Sequence, residues 1–277
     1  EPEIPLENVF LVPGNHDVNR DAVVQSQIRW LDELSTDPEN GLKTVVSYIQ
    51  NGGLEWRRIM ERLADSRAFL ESRGFAHLID PETDGTVHAD PSQLIYAAIR
   101  EIRGVRVGVA GFNSAWSCCR SGELGRLWMA GRWQQETLRP GLRDADLSIA
   151  LVHHPPTWLV EYENLDFGRS LQQDFHFLLH GHGHRDWVQQ QADGYTVLAA
   201  GACYETSESE HNGYGLARLD TESRKGEVWL RRYDSVGGGW IPRVMARNTD
   251  DRGVWSIRFG EPDRGAPSPS EEASDAA

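Results

Sequence analysis

The chain has 277 residues, 39% hydrophobic and 25% charged, which is ordinary globular usage and enough length to bury one large core or two modest ones. No apolar run approaches the roughly 20 residues that a membrane span requires, and the acids outnumber Lys and Arg 42 to 28 for a net charge of −14 at pH 7. A field of that sign repels phosphate polymers, so extended nucleic acid is disfavoured as a partner, whereas small anions held by metal ions stay compatible with it.

Asn8 to Val12 reads as a short buried strand running into Pro13-Gly14, a forced turn, which puts Asn15 and His16 on a loop. Past Asp21, a good N-cap residue, Val24, Ile28, Leu31 and Leu34 recur at helical spacing, and Asp37-Pro38 breaks the pattern. A longer helix is expected after Asn51-Gly52-Gly53. Its apolar stripe holds Trp56, Met60, Leu63 and Leu70, its other face Arg57, Arg58, Glu61 and Arg62, and Gly74 lies past its end. Residues 20–75 therefore read as a mostly helical insertion, able to serve as a cap that favours small substrates, with the arginines on a solvated face.

From Gln93 the pattern turns to β structure. Leu94 to Ile102 and Val105 to Gly111 flank Arg103-Gly104, a hairpin signal. A helix over Gly131 to Leu138 precedes two apolar runs, Leu147 to Val152 and His176 to Leu179, and each runs into a histidine cluster. Strand ends are where an α/β sheet offers groups for chemistry. Beyond Arg185 a β meander is expected over Trp187–Gln191, Tyr195–Ala199, Tyr214–Leu219, Glu227–Tyr233 and Val254–Phe259, with Gly237-Gly238-Gly239 as a loop. Residues 261–277 hold five acids, one Arg and almost no apolar bulk, so they read as a disordered acidic tail or linker after a domain over 1–260. Three cysteines, two of them adjacent (Cys118 and Cys119), make no disulfide framework and point to a reducing compartment, the cytoplasm by default.

Six of the ten histidines fall between His153 and His184. His182 and His184 alternate with Gly181 and Gly183, whose freedom would let the chain bend and turn both rings to one side. Imidazole, amide oxygen and carboxylate make a ligand set for Mn, Fe or Zn, while Mg or Ca would be held almost wholly by oxygens. His180 reads as a packed strand residue.

Gly14-Asn15-His16-Asp17, then His153 ahead of one residue and Pro155, then Gly181-His182-Gly183-His184 resemble, in that order, three blocks of the calcineurin-like metallophosphoesterase superfamily. The resemblance spans roughly residues 8 to 260. It implies a sandwich of two mixed β-sheets flanked by helices, a pair of divalent transition metal ions (Mn, Fe or Zn), and hydrolysis of a phosphodiester or phosphomonoester by a water activated between them. By the same resemblance Asn15, His153 and His182 would ligate one ion and His184 the other. His16 would stand beside the leaving group as general acid with Asp17 orienting it, and His154 would face the substrate. The loop after Gly111 resembles one that rims the site, which makes Asn113 a substrate contact or a plain turn residue.

Two further blocks of that superfamily, Asp-x-His and Gly-Asp, come ahead of Gly-Asn-His-Asp, and neither occurs in the thirteen residues that precede Gly14. Asp144-Ala145-Asp146 precedes a strand and His88-Ala89-Asp90 runs in the wrong order. The fold is therefore expected to be incomplete at its N-terminal side, with the missing ligands in an upstream segment or on a partner chain. A domain that has lost half its site and acts as a binding or regulatory module, or a nuclease subtype, are the alternatives.

Overall fold

The computed structural model describes residues 4–80, 87–204, 212–260 and 262; apart from Pro262, the expected tail lies outside these. Val9 to Val12 form no strand. A side chain meets one of this segment's carbonyls, His77 Nε2 lying 3.2 Å from Val9 O, and just ahead of the segment Arg100 Nε donates to Glu7 O at 2.8 Å in a 3-10 turn. Phe10 stacks on Tyr96 with ring centroids 6.1 Å apart.

Four helices follow. The first, α1 (Gln25–Leu34), starts later than Asp21, which sits in a 3-10 turn whose N–H is capped by Asn19 Oδ1 at 3.1 Å. A short polar side chain has closed its own turn one residue pair earlier. Asp37-Pro38 begins a helix rather than ending one: in α2 (Pro38–Asn51) Asp37 is the N-cap and Pro38 is in the first turn, where its missing N–H costs nothing. The third and fourth are α3 (Leu54–Met60) and α4 (Ala64–Ser72). Gly74, at φ +81°, closes α4, and Phe75 N–H reaches back to Leu70 O at 2.9 Å. Arg57 and Arg58 face water, but Arg62 does not: it is 1% exposed, and its guanidinium donates to Ile59 O, Cys118 O and Trp116 O. Trp56, Ile59 and Leu63 are buried beside it, so α3 is welded to the loop around residue 117.

The main sheet contains β1 (Val87–Asp90), β2 (Ile95–Ile102), β3 (Val105–Gly111), β4 (Leu147–Val152), β5 (Phe177–His180), β6 (Trp187–Gln190) and β7 (Thr196–Ala199), in the spatial order β1-β2-β3-β4-β5-β7-β6. β3, β4, β5 and β7 run parallel; the outer strands are antiparallel to their neighbours. Arg103 and Gly104 both have positive φ, as a two-residue hairpin turn demands. The crossovers are α5 (Gly131–Leu138) and α6 (Glu161–Asp174). Glu163 of α6 is buried, and its carboxylate accepts Met129 N–H and Gly131 N–H, both at 3.0 Å, at the start of α5.

A second sheet, antiparallel throughout, gathers β8 (Gly213–Asp220), β10 (Gly239–Pro242) and β11 (Val254–Arg258) around β9 (Lys225–Asp234). Leu147, Phe177 and Val188 of the main sheet meet Val228, Leu230, Ile257 and Phe259 between the layers. The larger core lies under the helices, where Trp56, Trp116, Trp128 and Phe167 are all at most 2% exposed. The architecture is an α/β sandwich of a seven-stranded mixed sheet, a second sheet and helices.

Candidate metal centre

Parallel strands deliver their following loops to one edge of a sheet. At that edge His153 follows β4, the Gly181–His184 loop follows β5, and Asn113 follows β3. Gly181 N–H donates to His153 O at 3.1 Å, which ties the first two loops together. Asn15 arrives from the opposite end of the chain on a tight turn: Asp17 Oδ2 accepts Gly14 N–H at 2.7 Å, and Asp17 N–H returns to Gly14 O at 3.0 Å. Gly14 itself lies against the His153 ring, since a Cβ there would come within 2.8 Å of Cε1 and Nδ1.

Three donor atoms converge. Asn15 Oδ1 stands 2.9 Å from His153 Nε2 and 3.2 Å from His182 Nδ1, and the two ring nitrogens are 3.2 Å apart. Hydrogen bonds cannot satisfy this triangle. Both nitrogens must carry protons to donate to the amide oxygen, and they then face each other donor to donor; an amide flip makes the conflict acceptor to acceptor. A cation removes it. Donor atoms sharing one small divalent ion at about 2.0–2.2 Å stand roughly 3.0–3.5 Å apart, close to the spacings here, and two imidazoles with one amide oxygen suit Mn, Fe or Zn. The residues present therefore fit one such ion.

The rings are tuned for it. Burial, reinforced by the charges of His182, His16 and His184, holds His153 down at about 4. Burial and then His184 lower His182; burial, then His153 and His182, lower His154 to about 2. All three are neutral at pH 7, so protons do not compete there for their lone pairs. Trp158 braces His182 edge to face at a centroid distance of 4.0 Å. His182 also sits at φ +67° in a turn closed by Gly183 N–H to Gly181 O at 2.8 Å, and His184 is at φ +51°. A histidine in such a turn is strained, and strain of that kind gathers at functional sites. Beyond the loop, Asp186 pairs with Arg243 Nε at 2.8 Å and ties it to the segment after β10.

Several sequence expectations change. The positive φ angles fall on His182 and His184, not on Gly181 and Gly183, so the strain is carried by the metal-ligating residue type itself. Asp17 orients the loop through Gly14; among the described residues no hydrogen bond joins it to His16, which is exposed beside the triangle. His154 is 1% exposed, with Nδ1 at 2.8 Å from Ser114 Oγ and Nε2 at 3.8 Å from Cys118 Sγ, so it backs the cluster from inside rather than meeting substrate. Asn113 is also 1% exposed, with Oδ1 accepting Ala115 and Trp116 N–H and Nδ2 donating to Gln93 O; it builds the turn. Among the described residues, His184 does not join the group that brings His153, His154 and His182 together. Trp158, Cys118 and Arg20 belong to the surroundings of the site and carried no sequence signal beyond lying near its motifs.

No protein-family model matches the chain, and no curated protein matches it. Among solved structures the chain is similar to Vps29 from Entamoeba histolytica, crystallised with Zn2+, at 12% identity and a TM-score of 0.24, over 53% of this chain. It spans 58% of that chain's length, and a likeness so slight carries no argument. No helix among the described residues is long and apolar enough to cross a membrane.

Proposed function

We propose that this chain is the metal-binding part of a phosphoric ester hydrolase of the calcineurin-like metallophosphoesterase kind. The observation that carries the reading is the triangle of Asn15 Oδ1, His153 Nε2 and His182 Nδ1, three neutral donors whose contacts cannot all be hydrogen bonds. Its segments also stand in the order of the motif blocks.

Asn15, His153 and His182 would hold one divalent Mn, Fe or Zn ion; such an ion supplies Lewis-acid polarisation of a phosphoryl oxygen and a more acidic water. The chain's own residues do the rest. Gly14 and Trp158 hold the two rings in place, Asp17 holds the turn that presents Asn15, and the exposed His16 delivers a proton to the leaving oxygen. A second ion at His184 would need further ligands of the kind that the Asp-x-His and Gly-Asp blocks provide. A small phosphate ester is the substrate class that agrees with the net negative charge.

The test is turnover of an aryl phosphodiester and an aryl phosphomonoester with added Mn2+ by protein that includes those two blocks. Hydrolysis should vanish in His16→Ala and His182→Ala. No turnover, or turnover untouched by both substitutions, would remove the reading. Because the described residues form one cluster only, a domain that binds metal without hydrolysis is the second reading, and metal uptake without turnover would favour it.

A further inference from the structure

A phosphate ester approaching a chain of net charge −14 gains from any positive charge fixed beside the triangle. Arg20 occupies that place. One of its terminal nitrogens lies 3.5 Å from Asn15 O, the carbonyl of the residue whose side chain belongs to the triangle, and the other donates to Arg120 O at 3.0 Å.

An ion pair with Glu123 holds the guanidinium without using all of its donors. Its nearest acid, Glu123, stands at 3.7 Å, and that same carboxylate oxygen already accepts Cys119 N–H at 2.6 Å and Arg120 N–H at 2.8 Å. Arg120, close by, is committed to Asp32 in a two-pronged pair at 2.7 and 3.2 Å. Arg20 spends two of its donors on carbonyls, has five to offer, and keeps 40% of its side chain in solvent. The loop beneath it is anchored where Asn19 N–H donates to the carbonyl of the buried Arg62 at 2.8 Å. An oriented, half-exposed fork with free donors matches the oxygens of a phosphoryl group better than an ammonium would.

We infer that Arg20 is a substrate-binding residue that grips the phosphate beside the metal position, and that the site selects esters able to present a non-bridging phosphoryl oxygen pair to it. This rests on the hydrolase reading above. The readout is inorganic phosphate binding to the Zn2+-loaded protein, by calorimetry, in the wild type, Arg20→Gln, Arg20→Lys and Arg57→Ala. Losing a charge-assisted, forked contact should weaken phosphate about 10- to 100-fold in Arg20→Gln, less in Arg20→Lys and not at all in Arg57→Ala. Zn2+ affinity and melting temperature should stay at wild-type values in each.

The inference is overturned if Arg20→Gln binds phosphate as the wild type does, or if it loses phosphate only together with Zn2+, which is what a purely structural tie between the two loops would produce. If Zn2+ binds but the wild type takes up no phosphate, both this inference and the hydrolase reading fail. If phosphate binds the wild type and Arg20→Gln alike, only this inference fails.

Discussion

Replacing Gly14 with Ala isolates the geometry of the centre. The backbone at Gly14 is outside the left-handed region, so alanine meets no conformational penalty, but its Cβ would stand 2.8 Å from His153 Cε1 and Nδ1 and 2.9 Å from Cγ. Carbon atoms in contact prefer about 3.5–4.0 Å, so ring or loop must retreat by roughly 0.7 Å. A metal site tolerates ligand displacements of only about 0.2 Å, so His153 Nε2 would leave the triangle even though every donor is still present. Overpacking of this kind costs about 1–3 kcal/mol of stability. Metal affinity should fall by about 10- to 100-fold, the range seen when the groups that hold a ligand are disturbed. Titration of Zn2+ against a competing chromophoric chelator measures this directly. A Gly14→Ala protein that is folded and binds Zn2+ within twofold of the wild type would refute the reasoning.

The remaining predictions concern the neighbours of the triangle and the core. Trp158→Ala should weaken Zn2+ by about tenfold by freeing the His182 ring, while Trp158→Phe keeps most of it; equal affinities across the three proteins would count against the brace. His153 is held at about 4 in the folded state against an ordinary 6.5, so below pH 6.5 the unfolded chain takes up a proton that the folded chain refuses. Metal-free protein should accordingly lose up to about 3 kcal/mol from this group as the pH falls from 6.5 to 4, and none above 6.5, in urea unfolding. His153→Gln should flatten that part of the profile. Glu163→Ala leaves Met129 and Gly131 N–H without their acceptor at the buried start of α5 and should cost about 2–4 kcal/mol in chemical denaturation; a loss under 0.5 kcal/mol would show that the cap is dispensable.

Where period and punctuation agree, the elements are legible to the residue. Val105 to Gly111, Gly131 to Leu138 and Leu147 to Val152 match β3, α5 and β4. Where they conflict, the reading slips. Asp37-Pro38 looks like a stop because proline breaks helices, yet Asp before Pro also begins one, and α2 uses it so. The helix α6 gives almost no periodic signal, because Glu163 and Ser170 share its buried positions with Phe167 and Leu171. Val9 to Val12 have strand composition, but pairing is a tertiary choice, and here the Val9 carbonyl meets the His77 ring instead of a neighbouring strand.

The centre divides in the same way. Asn15, His153 and His182 were legible as residues because their motifs are local. Their mutual distances and the support of Trp158 depend on contacts across 24 to 167 positions, which no motif encodes. Asn113 shows the opposite case: its amide is consumed by the turn that its own sequence neighbourhood demands.

The central claim is that the triangle of Asn15, His153 and His182 is a cation site, and the most direct measurement is the Zn2+ stoichiometry of the protein after dialysis, with His182→Ala and Asn15→Ala beside it. The account predicts tightly held Zn2+ in the wild type and the loss of one equivalent per chain in each variant, with the fold intact by circular dichroism. Wild-type protein that retains no Zn2+, or variants that retain as much as the wild type, would contradict it.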